Sequence, residues 1–192
     1  MARDGMFRLE EARVEDAPRL HALVEQYAAQ NVMLPRTVES IVQTLPDWVV
    51  AVAEAPAPAV RQVVGGACLT VLAPELAEVR SLVVDPERQG EGIGRCLVER
   101  IIDMARARGY QQLCALTLVP KFFLSMGFRP VEVADISPKV WVDCQHCPKY
   151  ECCDEYALVM DLVPNPVLPN YRRTDLPLPM KSPNWVPLDL VS

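Results

Sequence analysis

The sequence lacks any apolar stretch near the roughly 18–20 residues that would cross a bilayer. It also lacks a basic run of the kind that follows a nucleic-acid backbone. Its N-terminus, MARDGMFRLEEARVED, is charged throughout and has no apolar signal-peptide core. No segment repeats. Membrane, nucleic-acid and secreted classes lose ground together, and a cytoplasmic protein without membrane or nucleic-acid partners is expected. Aromatic residues are scarce, at 6% of an acidic chain of 192 residues that is 51% hydrophobic. Against 25 Asp and Glu stand 19 Lys and Arg, for a net charge of −6. That length suits one domain, or one with an appendage. Its core needs neither metal nor disulfide merely to fold.

Two residue types are in surplus. Four of the 7 cysteines (Cys144, Cys147, Cys152, Cys153) crowd into one short segment, and seven of the 18 prolines lie between Pro164 and Pro187. An odd cysteine count in a chain expected to stay in a reducing compartment points to metal or redox chemistry before structural disulfides.

Phe7–Leu9 reads as a short strand, and Asp16 as the cap of a helix with Pro18 in its first turn. Leu20, Leu23, Val24 and Tyr27 follow at i, i+3, i+4, i+7 spacing. Thr37 is placed to cap a shorter helix that stops before Pro46. Trp48–Ala53 and Val63–Leu72 are β-rich and suggest a hairpin, and Val79–Val84 is a further strand. A helix is predicted from Ile93 to Arg108 with an inner stripe of Leu97, Ile101, Met104 and Ala105. Leu113–Leu118, a short helix over Lys121–Met126 and a last strand at Tyr156–Leu162 complete an α/β (α+β) pattern with a mixed sheet. Residues 1–162 are expected to form the domain, and 163–192 a proline-rich tail.

The sharpest signal is the passage from strand to helix through QGEGIG, Gln89–Gly94. Glycines let a backbone approach a ligand, and the helix start adds N–H donors and partial positive charge. Such a turn suits a pyrophosphate. No Gly-Lys-Ser/Thr follows, so this is no P-loop, and no third glycine gives the dinucleotide spacing.

QGEGIG resembles the Q/R-x-x-G-x-G/A motif of the GNAT acetyltransferases, which bind acetyl-CoA through this turn. The resemblance implies the GNAT fold, a mixed central sheet flanked by helices. It assigns backbone groups of Gln89, Gly90, Gly92, Ile93, Gly94 and Arg95 to the pyrophosphate, and those of Val83 and Val84 to the pantetheine arm. Family members often dimerise, which leaves a homodimer open. NVMLPRTVESI, AEVRSLVVDP and LTLVPKFFLSMGF further resemble the acetyltransferase domain of short bacterial N-acetylglutamate synthases. That implies an amino-acid substrate, L-glutamate, in arginine biosynthesis, with Arg36 gripping a carboxylate through its planar fork.

Arg80, in an apolar strand, is a second candidate anion clamp. Period-two alternation puts it on a face with Glu78, Leu82 and Val84, so a surface ion pair with Glu78 is the alternative. Thr117, at a strand end, is a candidate for bonding acceptor or cofactor. Amine attack on a thioester needs a base, and the resemblance places that role on Glu78. An N–H near Val83 would polarise the thioester oxygen. Where many family members keep an acid tyrosine this chain has Phe123, so that role is unassigned.

The segment 144–153 offers Cys144, Cys147, Cys152 and Cys153 as thiolate ligands, with His146 between them. Zn2+ is the ion such ligands suit. A Fe–S cluster and a loop of reduced thiols are alternatives, and adjacent Cys152 and Cys153 fit poorly around one ion. Two other functions stay open: acetylation of another small amine or a protein N-terminus, and a CoA- or metal-binding module without turnover.

Overall fold

A computed structural model describes residues 7–53, 61–136, 139, 144, 147, 149 and 152–166. The chain divides into two compact units. One takes the chain up to Thr70 together with Val79–Ala107; the other takes Val71–Glu78 and the chain from Arg108 onward. The strands follow one another in the order β1-β2-β3-β4-β5-β7-β6.

In the first unit β1 (Phe7–Glu11) pairs antiparallel with β2 (Trp48–Ala53), and β2 with β3 (Val63–Val71). β2 is a continuous apolar run, WVVAVA, because both of its faces are covered. Trp48, Val50 and Val52 meet Leu20, Leu23 and Val24 of α1 (Ala17–Ala28) and Ile41 of α2 (Val38–Gln43) in one core. α3 (Ile93–Ala107) packs against β1 and β2. Its buried stripe is Ile93, Leu97, Val98, Ile101, Ile102 and Ala105, wider than the predicted one, and Met104 sits at its margin.

β4 (Leu76–Val84) starts three residues before the predicted strand, and its first residues belong to the second unit. There Leu76–Glu78 run parallel to Gln112–Cys114 of β5 (Gln112–Thr117). β5 pairs antiparallel with β7 (Tyr156–Asp161), and β7 with β6 (Arg129–Pro130), a two-residue strand too short to carry a sequence pattern. α4 (Pro120–Leu124) follows β5. Leu76, Cys114, Ile136, Ala157 and Val159 form this unit's small core.

Two caps were expected. Thr37 accepts the Ser40 N–H at 3.2 Å, as its position predicts. Asp16 does something else: its side chain caps no helix amide. It is 3% exposed, accepts from Arg61 Nε and Nη2 at 2.8 and 2.9 Å, and accepts the Arg13 N–H. A buried carboxylate needs a full counter-charge more than a helix start needs one acceptor.

Glu10 joins the same guanidinium. Hydrogen bonding to Arg61 first, then to Arg8, lowers the Glu10 pKa from 4.5 to about 2. A depressed carboxylate contributes stability above its unfolded pKa and loses it as pH falls through the folded one. Stability should therefore decline between about pH 4.5 and 2. Arg61→Met is expected to shrink that part of the decline, leaving what Arg8 contributes, and to cost on the order of 3 kcal/mol at neutral pH, by stranding Asp16. Urea titrations at pH 7 and pH 3 measure both; equal losses at the two values would exclude the linkage.

The predicted connection over 54–62 lies mostly outside the described residues, as does the tail from 167. Among the described residues no helix is long and apolar enough to cross a membrane.

Candidate active site

The glycine turn forms where predicted. Gly90 and Gly92 have φ of +83° and +86°, a region in which a Cβ is strained, and an added Cβ at either would meet nothing within 4 Å. Conformation demands these glycines, while the space beside them is open to a ligand. The first bond of α3 runs from the Cys96 N–H to the Gly92 carbonyl at 3.1 Å. The amides of Ile93, Gly94 and Arg95 precede it, the donors a helix start offers to an anion. Arg95's side chain lies along the helix, 3.4 Å from Glu99. Arg88 Nε shares its N–H between both Glu91 oxygens at 2.8 Å across the loop. The cradle presents backbone donors to an anionic group.

The strand feeding this turn is held closely. Gly65 of β3 makes room: a Cβ there would lie 2.9 Å from the Val83 carbonyl and 3.1 Å from Ile93 Cγ2. Val83 is buried in the α1 core. The Val84 carbonyl accepts the Tyr27 hydroxyl at 2.5 Å, and the Asp85 amide reaches Val64 at 2.8 Å. The expected period-two face through Glu78, Arg80, Leu82 and Val84 does not survive. Ser81 has φ of +52°, a left-handed turn that interrupts the alternation. A non-glycine residue there is strained, and such strain persists where its surroundings impose it.

Arg36 is half-buried at the entrance to α2, its Cζ 5.8 Å from the centre of the buried Trp48 ring. Nη2 donates to Thr44 Oγ1 at 3.3 Å, and its carbonyl meets His21 Nδ1 at 2.7 Å. Trp48 pairs with Cys68 across β2 and β3. Burial pushes the Cys68 thiol up to about 11, while the charges of Arg36 and Arg80 both reach it and pull the other way.

In the second unit Glu78 is 3% exposed and Lys139 is 7% exposed. Lys139 Nζ stands 2.7 Å from Oε1 and 3.0 Å from Oε2 of Glu78, so both oxygens of the expected base hold a cation. Burial, and secondarily the Glu78 charge, raises the Glu155 pKa; Lys139 opposes the rise. Thr117 is buried and its Oγ1 accepts the Val119 N–H at 3.0 Å, closing the turn into α4. Phe123 is buried edge-to-face against Phe122 and Phe128, at 5.0 and 5.2 Å, which accounts for an apolar ring where an acid was sought.

The cysteine segment yields no metal site among the described residues, where no group of three or more His, Cys, Asp or Glu is placed to hold an ion. His146 lies outside them. Cys144, Cys147, Cys152 and Cys153 are in no disulfide. Burial pushes the Cys144 thiol up to about 11 and raises that of Cys153 as well. Sequence reasoning missed Tyr27, Lys139 and Glu155. Tyr27 looked like one more member of an apolar stripe. Lys139, an isolated cation in PKVWV, carried a faint signal.

A family model described as an acetyltransferase (GNAT) domain matches residues 46–130. The chain is 37% identical over 151 residues to an uncharacterised N-acetyltransferase of Chlorobaculum tepidum, covering 79% of this chain and 94% of that one. It is 30% identical over 161 residues to the amino-acid acetyltransferase of Mycobacterium tuberculosis, covering 84% and 89%. Among solved structures, a Mycobacterium tuberculosis protein in complex with CoA matches with a TM-score of 0.69 at 26% identity, covering 81% of this chain and 99% of that one.

Proposed function

This chain belongs to the GNAT acetyltransferase family and is an acyltransferase, and on that premise we propose that it moves the acetyl group of acetyl-CoA to the α-amine of L-glutamate. The observation that carries the choice of acceptor is Arg36, half-buried at the start of α2 with its guanidinium against the Trp48 ring and donating to Thr44. A guanidinium held in this way suits a carboxylate through its planar fork, and Arg80 is proposed as the clamp for the second carboxylate of glutamate. The amino-acid acetyltransferase of Mycobacterium tuberculosis supports an amino-acid substrate.

Acetyl-CoA supplies the electrophile, a thioester carbonyl. We assign backbone groups of Gln89, Gly90, Gly92, Ile93, Gly94 and Arg95 to its pyrophosphate and those of Val83 and Val84 to its pantetheine arm. The Val84 carbonyl also accepts from Tyr27, and a backbone N–H near Val83 is the group proposed to polarise the thioester oxygen. The Thr117 O–H is assigned to acceptor or cofactor. The α-ammonium must lose its proton before attack. Glu78 is the carboxylate proposed for that step. Because both its oxygens hold Lys139, the proton reaches it through water. The place in arginine biosynthesis rests on the acceptor alone, and the cytoplasm is the proposed compartment.

The test is thiol release from acetyl-CoA with a panel of amino acids, simple amines and N-terminal peptides. Turnover above background with glutamate, and at least tenfold below it with alanine or glutamine, is the expected result. Preference for a monocarboxylate or a plain amine would remove the acceptor assignment. Binding of acetyl-CoA with no turnover across the panel would sink the glutamate reaction altogether.

A further inference from the structure

Tyr27 serves no step derived above, yet its hydroxyl sits on a junction that the cofactor must span. It donates to the Val84 carbonyl at 2.5 Å and accepts from Gln89 Nε2 at 2.7 Å. Val84 ends β4, and Gln89 opens the glycine turn. Between them runs a short 3-10 turn, Pro86–Arg88, whose N-cap Asp85 accepts the Glu87 N–H at 3.1 Å. α1 fastens the same turn at a second point. Arg19 meets Asp85 Oδ2 at 2.5 Å and the Val63 carbonyl at 3.2 Å. Helix α1 thus grips the exit of β4 with Arg19 and both ends of the turn with Tyr27.

We infer that Tyr27 is a positioning residue that sets the distance between the strand backbone and the glycine cradle, and so the affinity for the full-length acetyl-CoA that must engage both. The inference rests on the acetyl-CoA reading of the site. Its physical basis is preorganisation: a ligand held at two places binds tightly only when their separation is fixed before it arrives. The Val84 arm is half-buried and the Gln89 arm exposed, so the first carries most of the effect and solvent competes with the second. The tyrosine ring itself packs on the α1 core. Tyr27→Phe therefore keeps the packing and removes only the oxygen.

Calorimetric titration of full-length wild type, Tyr27→Phe, Gln89→Ala and the double variant with acetyl-CoA tests it, beside turnover of acetyl-pantetheine, which has no pyrophosphate. Tyr27→Phe should weaken acetyl-CoA about tenfold, equivalent to about 1.4 kcal/mol. Its kcat at saturation and its kcat/KM for acetyl-pantetheine should stay within twofold, since the short thioester engages only the strand. The double variant should bind no worse than Tyr27→Phe, because Gln89 acts through the missing hydroxyl. An acetyl-CoA Kd within twofold of wild type overturns the inference. Equal losses for the long and short thioesters also overturn it, and assign Tyr27 a general structural role. A wild type that does not bind acetyl-CoA at millimolar concentration removes the acetyl-CoA reading, and the positioning role with it.

Discussion

Lys139→Met is expected to destabilise the protein by about 3–5 kcal/mol, the range found when one partner of a buried ion pair is removed. At this chain length each kcal/mol is worth roughly 2–4 °C, so the melting temperature should fall by roughly 6–20 °C. The cause is the Glu78 carboxylate, 3% exposed and held at both oxygens by Lys139. Without the cation a buried negative charge has lost its hydrogen-bonded counter-charge, and the nearby Glu155, whose pKa burial already raises, adds to the repulsion. Glu78→Gln together with Lys139→Met should recover most of the loss, since a neutral pair no longer needs its counter-charge. The same double variant separates structure from chemistry. If Glu78 accepts the proton of the α-ammonium, the recovered protein should remain about 100-fold or more slower in kcat, the usual worth of a positioned base. Recovery of both stability and rate would confine Glu78 to a structural role. A single Lys139→Met variant as stable as wild type would show that the ion pair does not hold this unit together.

Arg36→Ala should raise the KM for glutamate by about two orders of magnitude, the scale of losing a hydrogen-bonded charge partner inside a binding site. The Kd for acetyl-CoA should not change, because the cradle at Gln89–Gly94 uses backbone groups. Arg36 is held for this role: its guanidinium lies against Trp48 and donates to Thr44, which removes the freedom of a long side chain before the substrate arrives. Arg36→Lys should recover only part of the affinity, since a point charge replaces a planar fork that pairs through two parallel bonds. Steady-state kinetics with glutamate varied at saturating acetyl-CoA measures both variants. An unchanged glutamate KM in Arg36→Ala would take the residue out of the acceptor site. In that case its stacking on Trp48 would be the whole of its purpose.

Most elements were legible because their signals are local. β2, with ends at Trp48 and Ala53, is an uninterrupted β-branched and apolar run, and α2 announces itself through Thr37. The cradle was legible for the same reason: Gly90 and Gly92 at positive φ, followed at once by a helix, are properties of six consecutive residues. β6 was not legible, because two residues hold no period and its existence depends on β7 alongside it. The alternation along β4 failed at Ser81, where a single backbone angle outweighs a side-chain pattern.

By itself, then, the sequence determined where the chain turns, which stripes are apolar and where a helix start leaves backbone donors open. Each follows from φ preference, side-chain period or the unpaired donors of a helix start, all settled within a few residues. The tertiary structure decided which charges become partners. Glu78 meets Lys139 across 61 positions, Asp16 turns from its cap to Arg61 across 45, and Tyr27 reaches Val84 across 57. The reason is that burying a charge or a hydroxyl demands a partner without specifying one. The choice among many candidates is made only when the topology brings two distant segments together and excludes water from between them.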